Sequence, residues 1–271
     1  MWWEKDGWGR AAWECRTKQM LMNVLTMNLT RERVAGFVWQ HILLLVSLEV
    51  MTMGVALCVR SDLGSSVISS LPMAMSMAGS EGLAPGLTIG EYTYWMNAVL
   101  VLAQILILRR RFEPVQLLQL VVGFVFGALI DFNMYLTSGI DFSGAGVQAL
   151  TQFVGCTVLA MGISAEVRCG SVTMPGEGIQ VAVCRVTGAP FPKVKIIIDS
   201  LLVALAVGSC FLFWGRWQWC VVGPGTLFAM FYVGAVVRLI SPRMGWFDRL
   251  LGYRPGFRRY IVGLARFIYR R

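Results

Sequence analysis

Carboxylates inside long apolar runs are the residues of this sequence that could carry chemistry. Glu49, Asp131 and Asp199 each lie within a hydrophobic run, and Glu166 and Glu177 flank a break between two such runs. An ionisable group at the centre of a membrane helix costs at least about 2.5–3.5 kcal/mol, so each one predicts a functional site or a compensating partner. The chemistry on offer is the binding of a proton or a cation.

Three of these carboxylates also have a structural interpretation. Asp199 lies one helical turn after Lys195 and is placed for a salt bridge with it, and Asp131 could pair with Arg60. Glu177, between two glycines, is suited to the first turn of a short helix. The sequence leaves both interpretations open for these residues.

Motifs of soluble enzymes are missing from the sequence. It contains no phosphate-binding loop, no GxSxG, no HExxH and no dinucleotide-binding fingerprint. Its one histidine, His41, and seven scattered cysteines without a CxxC pair do not form a recognisable zinc site. We therefore expect no catalytic residues, no metal and no cofactor, and hence a protein that is not an enzyme.

The apolar runs predict an all-α membrane protein. Of the 271 residues 56% are hydrophobic and 14% are charged, and the mean hydropathy is +0.64. A helix needs about 20 apolar residues to cross a bilayer. Six runs meet that requirement, at 38–59, 92–108, 114–136, 146–165, 194–214 and 217–237, with a tight turn around Gly215 and Arg216 between the last two.

Basic residues collect on alternate connections. Segment 1–35, the loop 109–111, the connection between the fourth and fifth runs and the tail carry most Lys and Arg, whereas the other three connections carry only Arg60 and Arg216. Because cytoplasmic loops are enriched in Lys and Arg, both termini are predicted to be cytoplasmic. The tail 241–271 predicts an interfacial segment on anionic lipid headgroups rather than a nucleic-acid site.

The halves 36–140 and 141–240 carry matching residues in the same order. The pairs are Gly54 with Gly162 and Arg60 with Arg168 at an offset of 108 residues, Asn97 with Asp199 at 102, and Gly127 with Gly234 at 107. Three spans per half make the second half enter the membrane from the opposite side. The pattern therefore predicts a 3+3 inverted repeat, the architecture of many secondary transporters.

Two polar stretches occupy equivalent places after the first span of each half. They are "SDLGSSVISSLP" (61–72) and "SVTMPGEGIQVAV" (171–183). Asp62 and Ser65 are suited to cap a helix and Pro175 to begin one, but the apolar segments that follow are too short to span. We interpret both stretches as re-entrant half-helices; the alternative is two surface loops with short helices lying flat.

Five segments resemble a known bacterial family. "GVALCVRSDLGSSVISSLP", "GLTIGEYTYWMNAVLVLAQILILRRRF", "GFVFGALIDF", "MPGEGIQVAV" and "KVKIIIDSLLV" are similar to the YczE/YyaS/YitT group of integral membrane proteins, over about residues 36–240. The resemblance implies a bacterial inner-membrane protein of five or six spans and supplies no mechanism.

The resemblance carries the family's motif residues over to specific positions of this sequence. They are Asp62, Leu63, Gly64, Gly90, Asn97, Gly127, Asp131, Pro175, Gly176, Glu177, Lys195, Asp199, Gly225 and Thr226. The sequence departs from the family at Ser61, where a small apolar residue is usual, and at Pro224, an added proline.

These observations together favour a permease for a small anionic or zwitterionic solute that works by alternating access. The predicted solute-binding residues are Asp62, Gly64, Ser65, Asn97, Gly176, Glu177, Gly178, Asp199 and Thr226, and the predicted ion-coupling residues are Asp131 and Asp199. Membrane lipids are expected partners, and a homodimer stays open. The alternative is a non-transporting regulator or scaffold that binds a partner protein or lipid.

Overall fold

The computed structural model of this chain describes residues 36–109, 112, 114–169, 174–189 and 191–251. Within these ranges the regular secondary structure is helical and includes no strand. The helices are α1 (Gly36–Arg60), α2 (Val67–Ser80), α3 (Ile89–Leu108), α4 (Leu118–Leu136), α5 (Ala145–Cys169), α6 (Pro175–Thr187), α7 (Phe191–Trp214), α8 (Pro224–Ile240) and α9 (Gly245–Leu251). The predicted N-terminal segment 1–35 and the tail residues 252–271 lie outside the described residues.

Six of the described helices, α1, α3, α4, α5, α7 and α8, are long and apolar enough to cross a membrane. The helices α2 and α6 have 14 and 13 residues. At a rise of 1.5 Å per residue each is about 20 Å long, short of a hydrocarbon core of about 30 Å. The prediction of an all-α integral membrane protein with six spans is confirmed.

Local signals explain where the helices begin and end. Thr88 and Glu91 form a capping box at the start of α3, in which each side chain accepts the backbone N–H of the other, at 3.1 and 2.9 Å. Pro175 is the first residue of α6, as predicted, and Gly188 ends that helix with φ of 71°.

The two halves pack against each other through their short helices. Helix α2 lies on α7 and on α3, while α6 lies on α3 and on α7. Each short helix therefore contacts the long helix that follows it and also the corresponding long helix of the other half. The short helices therefore connect the long helices of the two halves.

Helices α1 and α5 cross at glycines. A Cβ on Gly54 would overlap the backbone of Leu159, and a Cβ on Gly162 would overlap the backbone of Met51. Gly162 follows Gly54 by 108 residues, and Leu159 follows Met51 by the same 108. The contact between the first helices of the two halves is thus made twice, with the roles of the helices exchanged.

Two arginines bind the ends of helices in matching ways. Arg60, at the end of α1, donates from Nη2 to the carbonyl oxygen of Met134 near the end of α4, at 2.7 Å. Arg168, near the end of α5, donates to the carbonyl oxygen of Ser241 after α8 and forms an ion pair with Asp248. A cation at a helix C-terminus also interacts favourably with the helix dipole.

Two predicted boundaries are wrong. The sixth spanning helix begins at Pro224 rather than at 217, and no tight turn joins it to α7 at Gly215 and Arg216. Residues 217–223 instead pack against the turn between α1 and α2, where the Ser65 N–H donates to the Val221 carbonyl at 3.1 Å. The sequence pattern missed this loop because its tryptophans and valines are apolar.

The predicted caps of α2 are also wrong. The N-cap residue is Ser66, and no side chain caps this helix. Asp62 is exposed, four residues earlier, with φ of 58°. Asp is one of the few residues other than glycine that adopt this left-handed conformation readily, which accounts for its place in the turn.

Candidate functional site

The first turns of α2 and α6 meet inside the bundle, and we call this contact the half-helix junction. Ile68 and Gly176 are the second residues of their helices, and a Cβ on Gly176 would lie 2.7 Å from Cδ1 of Ile68. Ser69, Ser70 and Gly178 beside them are buried. Because a helix N-terminus carries partial positive charge, the junction brings two such charges together away from solvent.

The residues at the start of α2 carry hydroxyl groups. The backbone N–H and the Oγ of Ser65 both donate to the Val221 carbonyl, at 3.1 and 3.2 Å. Ser66 and Ser69 share a hydrogen bond of 2.6 Å between their hydroxyls. The first turn of α2 contains no acidic residue, so nothing in that turn offsets the positive end of its dipole.

Gly64 and Thr226 hold the α2 end against the start of α8. Gly64 has φ of 110°, and a Cβ there would lie 2.5 Å from Thr226 Oγ1 and 2.5 Å from the Gly223 nitrogen. Thr226 Oγ1 accepts the Gly223 N–H at 3.3 Å and donates to the Val221 carbonyl at 3.3 Å. Gly64 and Thr226, both predicted to bind solute, therefore lie where the backbones of the α1–α2 turn and the start of α8 pack closely together.

On the α6 side the junction is lined by carboxylates. Oε1 of Glu166 accepts the backbone N–H of Met174, the N-cap residue of α6, at 3.1 Å. Glu166 is 4% exposed, and its Oε2 is buried without a hydrogen-bond partner. Its carboxylate also interacts electrostatically with that of Glu177 in the first turn of α6.

A second group of polar side chains continues from Glu177 toward α7. Glu177 interacts electrostatically with Lys195 and Asp199. The salt bridge between Lys195 Nζ and Asp199 Oδ2 is present at 2.9 Å, and Gln180 Nε2 donates to Asp199 Oδ1 at 3.1 Å. We call Glu166, Glu177, Gln180, Lys195 and Asp199 the acidic cluster.

Neutral amides surround the first turn of α6 on its other side. Gln104 Nε2 donates to Gln119 Oε1 at 3.0 Å and to the Pro175 carbonyl at 3.2 Å. A Cβ on Gly178 would lie 2.8 Å from the Oε1 atoms of both glutamines. Asn97, which like Gln104 lies on α3, is fully buried, and neither its Oδ1 nor its Nδ2 has a hydrogen-bond partner.

Asp131 lies away from this region and binds the start of α3. Its carboxylate accepts the Thr88 hydroxyl at 2.5 Å and the Gly90 N–H at 2.9 Å. The alternative prediction that Asp131 pairs with Arg60 is wrong, because Arg60 bonds to Met134 and Thr137 instead. Such anchoring of a helix N-terminus by a carboxylate is a structural role.

The structure distributes the predicted solute-binding residues over four places. Gly64, Ser65 and Thr226 meet at the α2 end; Gly176, Glu177, Gly178 and Asp199 meet around the α6 end; Asn97 lies between α3 and α4, and Asp62 is exposed. The predicted set omits Glu166, Gln180, Gln104 and Gln119. The glutamines left a signal, since each is a polar residue in an apolar run.

Two further observations concern possible binding sites in the described part of the structure. Among the residues that the structure describes, no group of three or more His, Cys, Asp or Glu side chains could hold a metal ion. A cavity of about 350 Å³ lies elsewhere, between the end of α8 and α9, lined by Leu239, Ile240, Arg243, Met244 and Trp246.

Comparison with known proteins places most of the chain in one family. Residues 38–242 match DUF6198, described as a family of unknown function. The search of curated proteins and the search of solved structures found no match. The family match does not test the resemblance to the YczE/YyaS/YitT group, which stays a prediction.

Proposed function

This chain belongs to DUF6198, a family without an assigned activity, and from its geometry we propose that it is a secondary transporter, a permease for a small solute. The observation that carries the proposal is the half-helix junction. Two short helices, one from each half, touch through Ile68 and Gly176 in their largely buried first turns, inside a six-span bundle. Solute sites of secondary transporters lie at the interface of repeats, where broken helices direct their N-termini at the solute.

The first step of the argument is the inverted repeat. Ile68 and Gly176, which touch at the junction, are separated by 108 residues (176 − 68 = 108). The glycine crossings of α1 and α5 repeat at the same offset, and the arginine contacts to Met134 and Ser241 repeat at 107. A contact between a residue and its own counterpart lies on the axis that relates the two halves.

The second step concerns the depth of the short helices. A helix lying flat on a membrane surface would expose one polar face, but the first turns of α2 and α6 are buried among long helices. Irregular backbone at membrane depth is tolerated only where protein covers it or where it lines a wet cavity. The burial therefore supports re-entrant half-helices over surface helices.

The third step concerns the solute. The α2 end offers hydroxyls and a helix dipole without an acid, which suits a carboxylate or another anion. The α6 end offers carboxylates, which suit a cationic group. A zwitterion satisfies both ends, so the solute we propose is zwitterionic rather than purely anionic, with Asp199 at the ion-coupling end.

The proposed setting is a bacterial inner membrane with both termini in the cytoplasm. Helix α3 then ends at the basic loop 109–111, and α8 leads into the basic tail, both on the cytoplasmic side. The Arg60 contact to α4 falls on the outer side and the Arg168 contact to α8 on the inner side.

Cysteine accessibility tests the proposal. Single cysteines placed along 61–70 and 174–179, in a chain without its native cysteines, are labelled with a membrane-impermeant thiol reagent from each side. We expect labelling at Ser69, Ser70 and Gly178, which a transport cycle must expose to water, and we expect it to change when Glu177 is replaced by glutamine. Labelling confined to the exposed turn at Asp62, and unaffected by Glu177→Gln, would contradict an aqueous path.

Such a negative result would favour the alternative of a regulator or scaffold. The cavity between α8 and α9 and the basic residues near it would then be the surface to examine for a partner protein or lipid.

A further inference from the structure

Two buried oxygen atoms of the acidic cluster lack a donor. Glu166 and Gln180 are 4% and 3% exposed, and Oε2 of the first and Oε1 of the second have no hydrogen-bond partner. Buried side-chain oxygens in native proteins nearly always have a partner, whether protein, water or ligand. Other buried atoms of the described residues also lack a partner, but these two belong to residues of one cluster, which makes the cluster a candidate binding site.

The identity of both unpaired atoms follows from their neighbours. Glu166 already uses Oε1 for the Met174 N–H, which leaves Oε2 as the unpaired oxygen. The amide of Gln180 must direct its nitrogen at Asp199, because a carboxylate oxygen can only accept. The unpaired end of Gln180 is therefore its carbonyl oxygen, and the missing partner of both residues is a donor or a cation.

The charge of the cluster leads to the same conclusion. Three carboxylates, Glu166, Glu177 and Asp199, face one ammonium group, that of Lys195, which is already bound to Asp199. The nearest arginine along α5, Arg168, is paired with Asp248. With all three carboxylates ionised the cluster carries more negative than positive charge, and a bound cation or a bound proton would balance it.

We propose that the acidic cluster is a binding site for a monovalent cation, held by Glu166 and Gln180 with Glu177 beside them. The two proposed ligands are one carboxylate and one neutral amide, fewer carboxylates than a calcium site uses, so the proposal is for a monovalent cation. This inference rests on the permease proposal, in which the cation is either a free sodium ion that drives transport or the ammonium end of the zwitterionic solute.

The test is the thermal unfolding of the purified full-length protein in detergent, followed by tryptophan fluorescence. Sodium, potassium, ammonium and methylammonium chlorides each replace choline chloride at constant ionic strength and neutral pH. A ligand that binds only the folded state raises Tm in a saturable way. A response to sodium alone identifies a free ion, and a response to ammonium and methylammonium identifies the ammonium group of a solute.

Variants assign the response to the cluster. In Glu166→Gln and Gln180→Met we expect the half-saturating cation concentration to rise roughly tenfold or more, since loss of even an indirect ligand contact costs tenfold or more. Asp141→Asn, in an exposed loop, is the matched control and is expected to respond as the unmodified protein does. If Glu166→Gln fails to fold, Gln180→Met decides, because it keeps all three carboxylates.

Three results would overturn the inference. They are a Tm that no cation changes relative to choline, a cation response that survives both variants, and a Tm that depends on pH alone and becomes insensitive in Glu166→Gln, which would assign a bound proton. This experiment measures binding and not transport, so its outcome is independent of the cysteine scan. If no cation changes Tm but the scan is positive, the cation site is wrong and the permease proposal stands. A cation response beside a negative scan removes the permease and leaves a cation site.

Discussion

At the scale of single residues, glycine determines how closely the two halves approach. Gly54 and Gly162 allow α1 and α5 to touch backbone to backbone, and the atoms that a Cβ would meet belong to main chain that cannot move aside. Without a hydrophobic driving force between helices in lipid, such close packing is a main source of association. Small residues therefore carry more of the stability here than their size suggests.

Gly54→Ala and Gly162→Ala are each expected to lower the free energy of unfolding by about 1–3 kcal/mol, as overpacking of a tight interior does. The measurement is the thermal unfolding of the purified protein in detergent. Gly234→Ala is the matched control, since Gly234 is also helical but nothing lies within 4 Å of a Cβ there. Equal Tm values for all three variants would contradict the α1–α5 crossing.

At the scale of elements, a carboxylate of one helix anchors the start of another. Asp131 on α4 accepts two hydrogen bonds from the first turn of α3 and its cap, and Gly90 and Gly127 bring the two helices together at that level. This explains why a carboxylate is found late in an apolar helix, without invoking a transported ion.

Asp131→Ala is expected to destabilise the protein by about 0.5–2 kcal/mol, the usual cost of losing a helix cap. Asp131→Asn should cost less, because its amide oxygen still accepts the Gly90 N–H. Both are read as changes in Tm, together with the cation response of the acidic cluster, which should be unchanged. A variant with normal Tm and no cation response would assign Asp131 the ion-coupling role predicted from the sequence.

At the scale of the whole molecule, a pair of cysteines reports on how the halves are joined. Cys58 on α1 and Cys156 on α5 are fully buried, and their Sγ atoms are 3.8 Å apart. A disulfide has an S–S distance of about 2.05 Å, so the two side chains must rotate toward each other to form one. The pair thus offers a direct test of the interface between halves.

Oxidation with a membrane-permeable diazene should link Cys58 to Cys156, the two thiols losing two protons and two electrons to the diazene. The link is read on a non-reducing gel after cleavage at a protease site inserted in the exposed loop 139–144, in a chain whose other cysteines are serine. We expect the halves to stay joined, and to separate in the Cys58→Ser control. Halves that separate with both cysteines present would contradict the packing of α1 on α5.

Much of the fold could be predicted because its signals are local. The sequence itself shows six apolar runs, the proline at the start of α6 and the matching positions of Gly54 and Gly162. The first two signals depend on hydropathy and on short-range backbone preferences. The start of α8 was mispredicted at 217 because residues 217–223 are as apolar as a spanning helix, although they form a loop held by the α1–α2 turn.

The candidate site was predicted in part. Glu177 and Asp199 do belong to one cluster, but Asp62 is exposed and Asp131 serves α3. The sequence marks Glu166 as a possible functional carboxylate without placing it in the site, and it does not mark Gln180, because the contacts that define both residues connect different helices. Sequence spacing cannot tell which face of a helix meets which neighbour.

The sequence by itself determined that this is an all-α membrane protein, since composition and the length of apolar runs depend only on neighbouring residues. Only the tertiary structure decided that α2 and α6 meet at Ile68 and Gly176, and that Glu166 lies at the start of α6 with an oxygen unpaired. The physical reason is that these contacts arise from close packing of helices far apart in the chain, where the shape of each surface, rather than its hydropathy, selects the partner.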